Sequence, residues 1–517
     1  MNKQLENSDC PLLSKEGQAE PFGSSLLELA KAARQRGLKT HSGQVQRGDV
    51  FVALPGVKVN GAKFMQQALQ AGAFAIVGQK EEIAAFKSAL AVSSSVKLCA
   101  VDQPREALAL LAGSKYRTRQ HKFPVIGITG TNGKTSITYL LEHLYQCAGK
   151  RAGVLGTVSY RWPGFEEQAP LTTPDCLSVH AMLARMQNEG KVDAAFLEVS
   201  SHALDQQRVL GVKFKAAVFT NLTQDHMDYH ADMEDYFRAK SKLFFAPYAA
   251  PDQVAIINTD DAYGQRLAGK LAANDNGKNG LITYGLQKSS LDTQTCHLQG
   301  EIISCDRQGI KLGMSFHGNT WQIHSPLVGT YNALNLLAVQ ALAISQGFEP
   351  CDFKALDTFG GTPGRLEKIE NSKGLSIFVD YAHTPDALIN VQKVLKEVGF
   401  ERLITVFGCG GNRDRGKRPL MGKAVADFAD VAILTSDNPR LEDPLAIMDD
   451  VREGLRGCKH VIEEVDRKKA IAEGIRLMGP RDALLVAGKG HEDYQIIGDK
   501  KLPYSDQKVI QEILPCK

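Results

Sequence analysis

Residues Gly127 to Ser136 read Gly-Ile-Thr-Gly-Thr-Asn-Gly-Lys-Thr-Ser, with the apolar Pro124-Val125-Ile126 before them and an amphipathic run after them. A strand, a glycine-rich loop and a helix in that order form a cradle for phosphate. The glycines let backbone N–H groups turn toward phosphate oxygens, and the helix N-terminus adds its partial positive charge. Lys134 supplies a point charge for the β and γ phosphates, and the Thr135 hydroxyl is placed to hold Mg²⁺. Five residues separate Gly127 from Gly133, one more than the roughly four of the common phosphate loop. A plain glycine-rich strand-to-helix turn would leave Lys134-Thr135 at the helix start without a reason. The loop therefore points to a bound nucleoside triphosphate.

Working outward, the strand is one of several continuously apolar ones: Val125 to Ile128, Ala194 to Val199, Ala216 to Phe219 and Val254 to Ile257. Such runs belong to a mainly parallel sheet covered on both faces. Two of them end in polar strings, Glu198-Val199-Ser200-Ser201-His202 and Thr220-Asn221-Leu222-Thr223-Gln224-Asp225-His226. Strand C-terminal ends are where open α/β sheets place ligands. Mg²⁺ takes oxygen ligands and accepts only a few from protein. Glu198 is the carboxylate candidate and His226 an additional ligand, with a loop-capping histidine as the alternative for His226.

The chain has 517 residues, too long for one core; at about 150 residues per domain three are expected. Ser24 to Arg36 has helical spacing, Asp49 to Leu54 and Ala73 to Val77 read as strands, and Phe64 to Ala71 as a helix. These make a small N-terminal α/β domain over residues 1–120. A central phosphate-loop ATPase-like domain with the mainly parallel sheet follows over 121–361. Within it, Thr283 to Ser325 changes to short polar alternation, an antiparallel patch, and Asn332 to Ser345 is helical. Thr362-Pro363-Gly364 marks the turn into a C-terminal Rossmann-like α/β domain over 362–517, with strands at Ser376 to Val379, Leu403 to Phe407, Val431 to Leu434 and Ala483 to Val486. The net charge of +3 argues against nucleic acid as the main partner, which calls for a basic excess. Met1 to Pro21 lacks the apolar core of a signal peptide, and no apolar run reaches the roughly 18 residues of a membrane span. A cytoplasmic protein, expected to be a monomer, is the reading. Ten cysteines without a CxxC pair read as reduced thiols, with no disulfide framework or zinc site.

Six strings carry a family resemblance: Gly130-Thr-Asn-Gly-Lys-Thr135, Thr172-Thr173-Pro174, Glu198-Val-Ser-Ser-His202, Asn221-Leu-Thr-Gln-Asp-His226, Tyr381-Ala-His-Thr-Pro385 and Gly488-Lys-Gly-His-Glu492. In this order they resemble the Mur ligases of peptidoglycan synthesis, over about residues 38 to 500. Within that family the chain is similar to the branch that adds the third residue of the stem peptide. The resemblance implies an ATP-dependent amide ligase, using Mg²⁺, that joins an amino acid to the D-Glu side-chain carboxylate of UDP-N-acetylmuramoyl-L-Ala-D-Glu through an acyl phosphate.

The resemblance also implies roles residue by residue. Gly130, Thr131, Asn132, Gly133, Lys134, Thr135, Ser136, Asn332, Arg365 and Asp380 would meet ATP. Thr172, Thr173, Ser200, Gln206 and Arg208 would meet the muramoyl peptide. Lys240 lies fourteen residues after His226, where this branch carries an N-carboxylated lysine; Thr135, Glu198, His226 and that carbamate would hold metal. Thr40 and Ser42 would meet the uridine diphosphate, although His41-Ser42-Gly43 keeps only the serine of the Asp-Ser-Arg string usual there. Lys58 is a further candidate. Asp437-Asn438-Pro439-Arg440, Arg413, Gly488 and Glu492 match the pocket for meso-diaminopimelate, and relatives that add lysine lack the arginine. Diaminopimelate has a carboxylate at its far end and lysine has none, so an arginine built to pair it would be left unpaired by lysine. The competing readings are a lysine-adding ligase, a folylpolyglutamate synthetase-like ligase lacking the first domain, and a non-catalytic nucleotide-binding regulator.

Overall fold

A computed structural model of the chain describes residues 24–56, 59–90, 95–273, 280–287 and 296–515. The leader Met1 to Pro21, Lys58, Cys10, Cys516 and residues 288–295 of the polar stretch lie outside the described residues. Contacts group the chain into two compact units. The first takes residues up to Lys134, then Tyr145–Thr283 and Cys296; the second takes Thr135–Leu144, Tyr284 to Gln287 and His297 onward.

The first unit opens with the helix Ser24–Ala33 and a parallel sheet of Leu38–Lys39, Val50–Val52, Ala75–Gln79 and Lys97–Val101. Side chains alternate across it: Val50, Val52, Ala75 and Val77 enter one core, and Phe51, Ala53 and Ile76 another, as the two-residue period of a strand requires. The helix Pro104–Tyr116 buries Leu108, Leu110 and Leu111 in the first of these cores, beside Phe214 and Phe219.

The main sheet of this unit runs in the order Ala249–Asn258, Phe214–Phe219, Val125–Thr129, Ala194–Glu198 and Ala152–Leu155, all parallel. Ser159–Trp162 and Phe165–Gln168 add an antiparallel edge. Every residue of Val125–Thr129 and of Ala194–Glu198 is buried, which is why these strands read as unbroken apolar runs. Val125–Thr129 lies between Phe214–Phe219 and Ala194–Glu198, so the phosphate loop leaves the sheet flanked by two other strand ends. That is the switch-point position at which α/β sheets bind ligands.

The second unit contains, from His297 onward, the antiparallel meander of Cys296–Asp306, Gly309–Phe316 and Asn319–Ser325, which accounts for the polar alternation, and the buried helix Thr330–Ser345. Its other sheet has the order Glu367–Lys368, Ser376–Asp380, Ala483–Ala487, Leu403–Phe407, Val431–Leu434 and Val461–Glu463. All its pairings are parallel except the first. Phe378, Leu403, Leu434 and Leu485 face one core, and Ile377, Ile404, Ile433 and Leu484 the other. The hairpin Tyr494–Ile497 with Lys500–Pro503 follows. Among the described residues all eight cysteines are free, and no helix is long and apolar enough to cross a membrane.

Candidate active site

The phosphate loop is held by the neighbouring strand end at Thr220 and Asn221. Thr131 N donates to Asn221 O at 2.9 Å and Asn132 N to Asn221 Oδ1 at 3.0 Å, while Thr220 Oγ1 donates to Asn132 O at 2.6 Å. Gly130 has φ +144 and packs so closely on the next strand end that a Cβ there would collide with Thr220 Oγ1. Only glycine fits both conditions. Gly130→Ala is therefore expected to cost about 2 kcal/mol of stability, read as a lower denaturation midpoint, and to reduce ATP turnover by at least about tenfold. Activity and midpoint both at the wild-type level would contradict this account of the loop.

Lys134 opens the helix Lys134–Cys147 and curls over the loop, its Nζ donating to Gly130 O at 2.9 Å and Thr131 O at 2.8 Å. Lys240, on the helix Met233–Ser241, reaches the same carbonyl: its Nζ donates to Gly130 O at 2.7 Å. Lys240 is 1% exposed, and its amine lies 4.6 Å from the centre of the Tyr236 ring. Burial pushes its pKa well below the usual lysine range, the Lys134 charge lowers it further, and Asp225 opposes weakly. Burial of this kind favours the neutral amine over the ammonium, unlike the solvated lysine its helical setting suggests. The Tyr236 hydroxyl in turn meets Thr131 Oγ1 at 3.2 Å.

Glu198, 1% exposed, ends its strand beside the loop and accepts from Thr157 N at 3.0 Å and Thr157 Oγ1 at 2.8 Å. The same Thr157 hydroxyl meets Thr172 Oγ1 at 3.1 Å. Thr173 Oγ1 donates to Glu198 O at 2.7 Å and accepts from Ser200 N at 3.1 Å. Arg208 completes the group, donating from Nη1 to Thr173 O at 3.1 Å and from Nη2 to Gln206 Oε1 at 2.8 Å. The structure thus brings Thr172, Thr173, Glu198, Ser200, Gln206 and Arg208 into one cluster. His226, in a left-handed turn at φ +57, lies edge-on to His202 with ring centres 5.0 Å apart. Burial lowers the pKa of His226 and brings that of His202 down to about 4. Both rings are neutral near pH 7, the state in which imidazole binds metal.

Thr40 follows the strand Leu38–Lys39, and Ser42 opens a short turn from which its Oγ donates to Gln67 Oε1 at 2.8 Å. Arg105, which no sequence motif marks, connects this first sheet to the cluster. It donates from Nη2 to Pro55 O at 2.9 Å and from Nη1 to Gln206 O at 3.1 Å. His230, 3% exposed, is a second residue of that kind, between Ser201 Oγ at 3.0 Å and Asp235 Oδ2 at 3.1 Å. It packs against Tyr236.

In the second unit, Asn332 is buried at the start of its helix and donates to Val328 O at 2.9 Å. Asp380 accepts from Leu366 N at 2.6 Å and Ala382 N at 2.8 Å. Burial raises its pKa against the opposing pull of Arg365, whose guanidinium lies 5.0 Å from the centre of the Tyr381 ring. The turn Asp437-Asn438-Pro439-Arg440 follows the strand Val431–Leu434. Arg440 has φ +53 and is held there by main-chain bonds, its N–H to Ile496 O at 3.1 Å and Gly498 N–H to its own O at 2.7 Å. Its Nη1 donates to Gly411 O at 2.9 Å. Glu492 accepts from Asn438 Nδ2 at 3.0 Å and Tyr494 Oη at 3.2 Å. Gly488, at φ +111, lies against Asp437. Arg413 is exposed on the adjoining loop. Lys489, whose string suggests only a loop lysine, is fully buried among these residues.

Among the described residues no three His, Cys, Asp or Glu side chains gather as a metal-ligand group. The donors beside the loop are instead mixed in kind: the Glu198 carboxylate, the His226 imidazole and the buried Lys240 amine. Together they fit a hard divalent ion that draws its remaining ligands from phosphate and water.

Comparison with known proteins places these features in one family. Residues 35–116 match the Mur ligase family catalytic domain, 128–343 the Mur ligase middle domain, and 364–490 the Mur ligase glutamate ligase domain. A UDP-N-acetylmuramoyl-L-alanyl-D-glutamate--2,6-diaminopimelate ligase of Lawsonia intracellularis is 53% identical over 92% of this chain and 95% of its own. One of Aquifex aeolicus with the same name is 40% identical over 93% and 94%. A solved structure of a ligase of this name, 33% identical, covers 92% of this chain and 94% of that one with a TM-score of 0.67. The folylpolyglutamate synthase of Mycobacterium tuberculosis complexed with ADP, at 19% identity and a TM-score of 0.55, shares the fold over 75% of this chain and 92% of its own. With its three segments matched in order and a relative this similar along nearly its whole length, the chain belongs to the Mur ligase family.

Proposed function

We propose that the protein is the ATP-dependent ligase that adds meso-diaminopimelate to the D-Glu side-chain carboxylate of UDP-N-acetylmuramoyl-L-Ala-D-Glu, acting as a monomer in the cytoplasm. The observation that carries the reading is a single turn that carries both Arg440, its Nη1 anchored on Gly411 O, and Asn438, whose amide donates to Glu492. A cation and a carboxylate tied to one turn suit an amino acid whose far end bears both a carboxylate and an ammonium group. The names of the relatives agree with it.

A carboxylate is a poor electrophile, so the D-Glu carboxylate first attacks the γ-phosphorus of ATP, forming an acyl phosphate and releasing ADP. The free amine of diaminopimelate then attacks the acyl carbon, the amide forms, inorganic phosphate leaves, and the amine gives up a proton. Positioning and charge neutralisation carry such a reaction. Gly130, Thr131, Asn132, Gly133, Lys134, Thr135 and Ser136 would wrap the phosphates, Lys134 exchanging its loop carbonyls for phosphate oxygens. Asn332, Arg365 and Asp380 would meet the rest of the nucleotide. Thr172, Thr173, Ser200, Gln206 and Arg208 would hold the dipeptide, with Arg208 pairing its carboxylate or diphosphate, and Thr40 and Ser42 would hold the uridine end. Thr135, Glu198, His226 and an N-carboxylated Lys240 would hold Mg²⁺, which when bound supplies the charge that lets two anions approach. In the amino-acid pocket Arg440 and Arg413 would take the distal carboxylate, Glu492 the distal ammonium, and Asp437, Asn438, Pro439 and Gly488 the shape around them.

ADP release measured with the UDP-muramoyl dipeptide and either meso-diaminopimelate, L-lysine or no amino acid tests the reading. Release dependent on diaminopimelate, with lysine slower by a factor on the order of 10³ or more, is expected. Equal or faster release with lysine would replace it by the lysine-adding alternative, and no release with either by the regulator.

A further inference from the structure

Lys489 has no exposed side-chain surface, yet it stands between two carboxylates. Its Nζ lies 3.1 Å from Asp437 Oδ1 and 3.6 Å from Glu492 Oε2. Two of its protons are committed elsewhere, to Asn438 Oδ1 at 3.0 Å and Tyr494 O at 2.8 Å. Asp437 Oδ1 is itself buried and receives no hydrogen bond, so its contact with Lys489 is an ion pair at close range without an aligned N–H. Asn438 Oδ1 also accepts from Ile496 N at 2.9 Å. With two donors on its oxygen, the Asn438 amide has one orientation, and its Nδ2 must face Glu492, where it donates at 3.0 Å.

We propose that Lys489 is a positioning residue that sets amino-acid specificity: it neutralises Asp437 and orients Asn438, leaving Glu492 as the one uncompensated carboxylate to receive the distal ammonium of the incoming amino acid. This rests on the amino-acid pocket proposed above. The four side chains Asp437, Asn438, Lys489 and Glu492 carry two negative charges and one positive. Without Lys489, two like charges would share a largely buried pocket and Asn438 would lose the contact that fixes its amide. Without Asp437, Lys489 would turn to Glu492 and compete with the substrate for it. Either single loss harms the site through charge, in opposite directions, and removal of both restores the original net charge.

The test is a double-mutant cycle of Lys489→Met, Asp437→Asn and the pair together, with KM measured separately for amino acid, ATP and muramoyl dipeptide. Each single variant is expected to raise KM for diaminopimelate by about tenfold or more, with the other two KM values within about twofold. The double variant is expected to lie at least about threefold below either single one. A merely structural lysine would give additive losses or raise all three KM values alike, and either result overturns the proposal. If Lys489→Met fails to fold, Asp437→Asn against the double variant decides, since the proposal requires the double to bind diaminopimelate better. Should the wild-type enzyme use lysine in place of diaminopimelate, the proposed substrate fails, while the cycle run with lysine, which presents the same distal ammonium, still tests Lys489.

Discussion

Arg440→Ala is expected to raise KM for meso-diaminopimelate by about 100-fold or more, a loss in the range of 2–5 kcal/mol for truncating one member of a desolvated charge pair, with KM for ATP and for the muramoyl dipeptide within about twofold of wild type. The guanidinium is half-buried and anchored on Gly411 O at 2.9 Å, so a water shell cannot readily take its place around a bound carboxylate. Two further variants separate charge from backbone. Arg440→Asn removes the charge but tolerates the left-handed conformation at φ +53 and should lose diaminopimelate affinity as fully as alanine does. Arg440→Lys keeps the charge without the two-pronged geometry and should fall between. Steady-state ADP release with each substrate varied in turn is the measurement. A rise in KM for ATP equal to that for diaminopimelate would remove Arg440 from the amino-acid pocket.

Lys240→Ala is expected to lower kcat by at least about 100-fold, the scale on which single electrostatic contributors act, with little effect on KM for the amino acid. The Lys240 amine is fully buried, shares the Gly130 carbonyl with Lys134 and has its pKa driven well below the ordinary lysine range. Only neutral amine adds CO₂, and the product is an anion that the neighbouring Lys134 ammonium attracts where it repelled a second cation. Wild-type protein equilibrated with ¹³C-bicarbonate should show a carbamate resonance that Lys240→Ala lacks, and a short carboxylic acid added to the variant should restore part of the lost rate. A variant with full activity, or a wild-type protein without the resonance, would mean that Lys240 acts as plain lysine.

Much of the framework was legible because burial on both faces leaves an unmistakable composition. Leu403–Phe407 and Val431–Leu434 lie where their apolar runs begin and end, and Val125–Thr129 extends its run by one residue. The edge strand Lys97–Val101 was not read, since Lys97 and Ala100 face solvent and break the run. The phosphate loop and the two strand-end strings were visible as local patterns. Residues whose role comes from distant contacts were not. Arg105 acts across 101 residues on Gln206, and Lys489 across 51 on Asn438; in isolation each reads as the solvated cation that Lys and Arg usually are. His230 stayed hidden for the same reason, because its burial depends on the turn at His226 folding it back onto Tyr236. The first sheet is the converse case: its two central strands, Val50–Val52 and Ala75–Gln79, are legible as apolar runs, but its departure at His41-Ser42-Gly43 leaves Thr40 and Ser42 without contact geometry that would mark a uridine pocket.

The clamp on residue 440 is made of main chain alone: its N–H and C=O bond to Ile496 and Gly498 whatever side chain it carries. Recognition and scaffold are therefore separable at this position. Mutation can exchange the group that greets the nucleophile while the turn, the hairpin and the strand ends behind it keep their hydrogen bonds. A pocket built this way can drift between amino acids of different charge through a short series of folded intermediates.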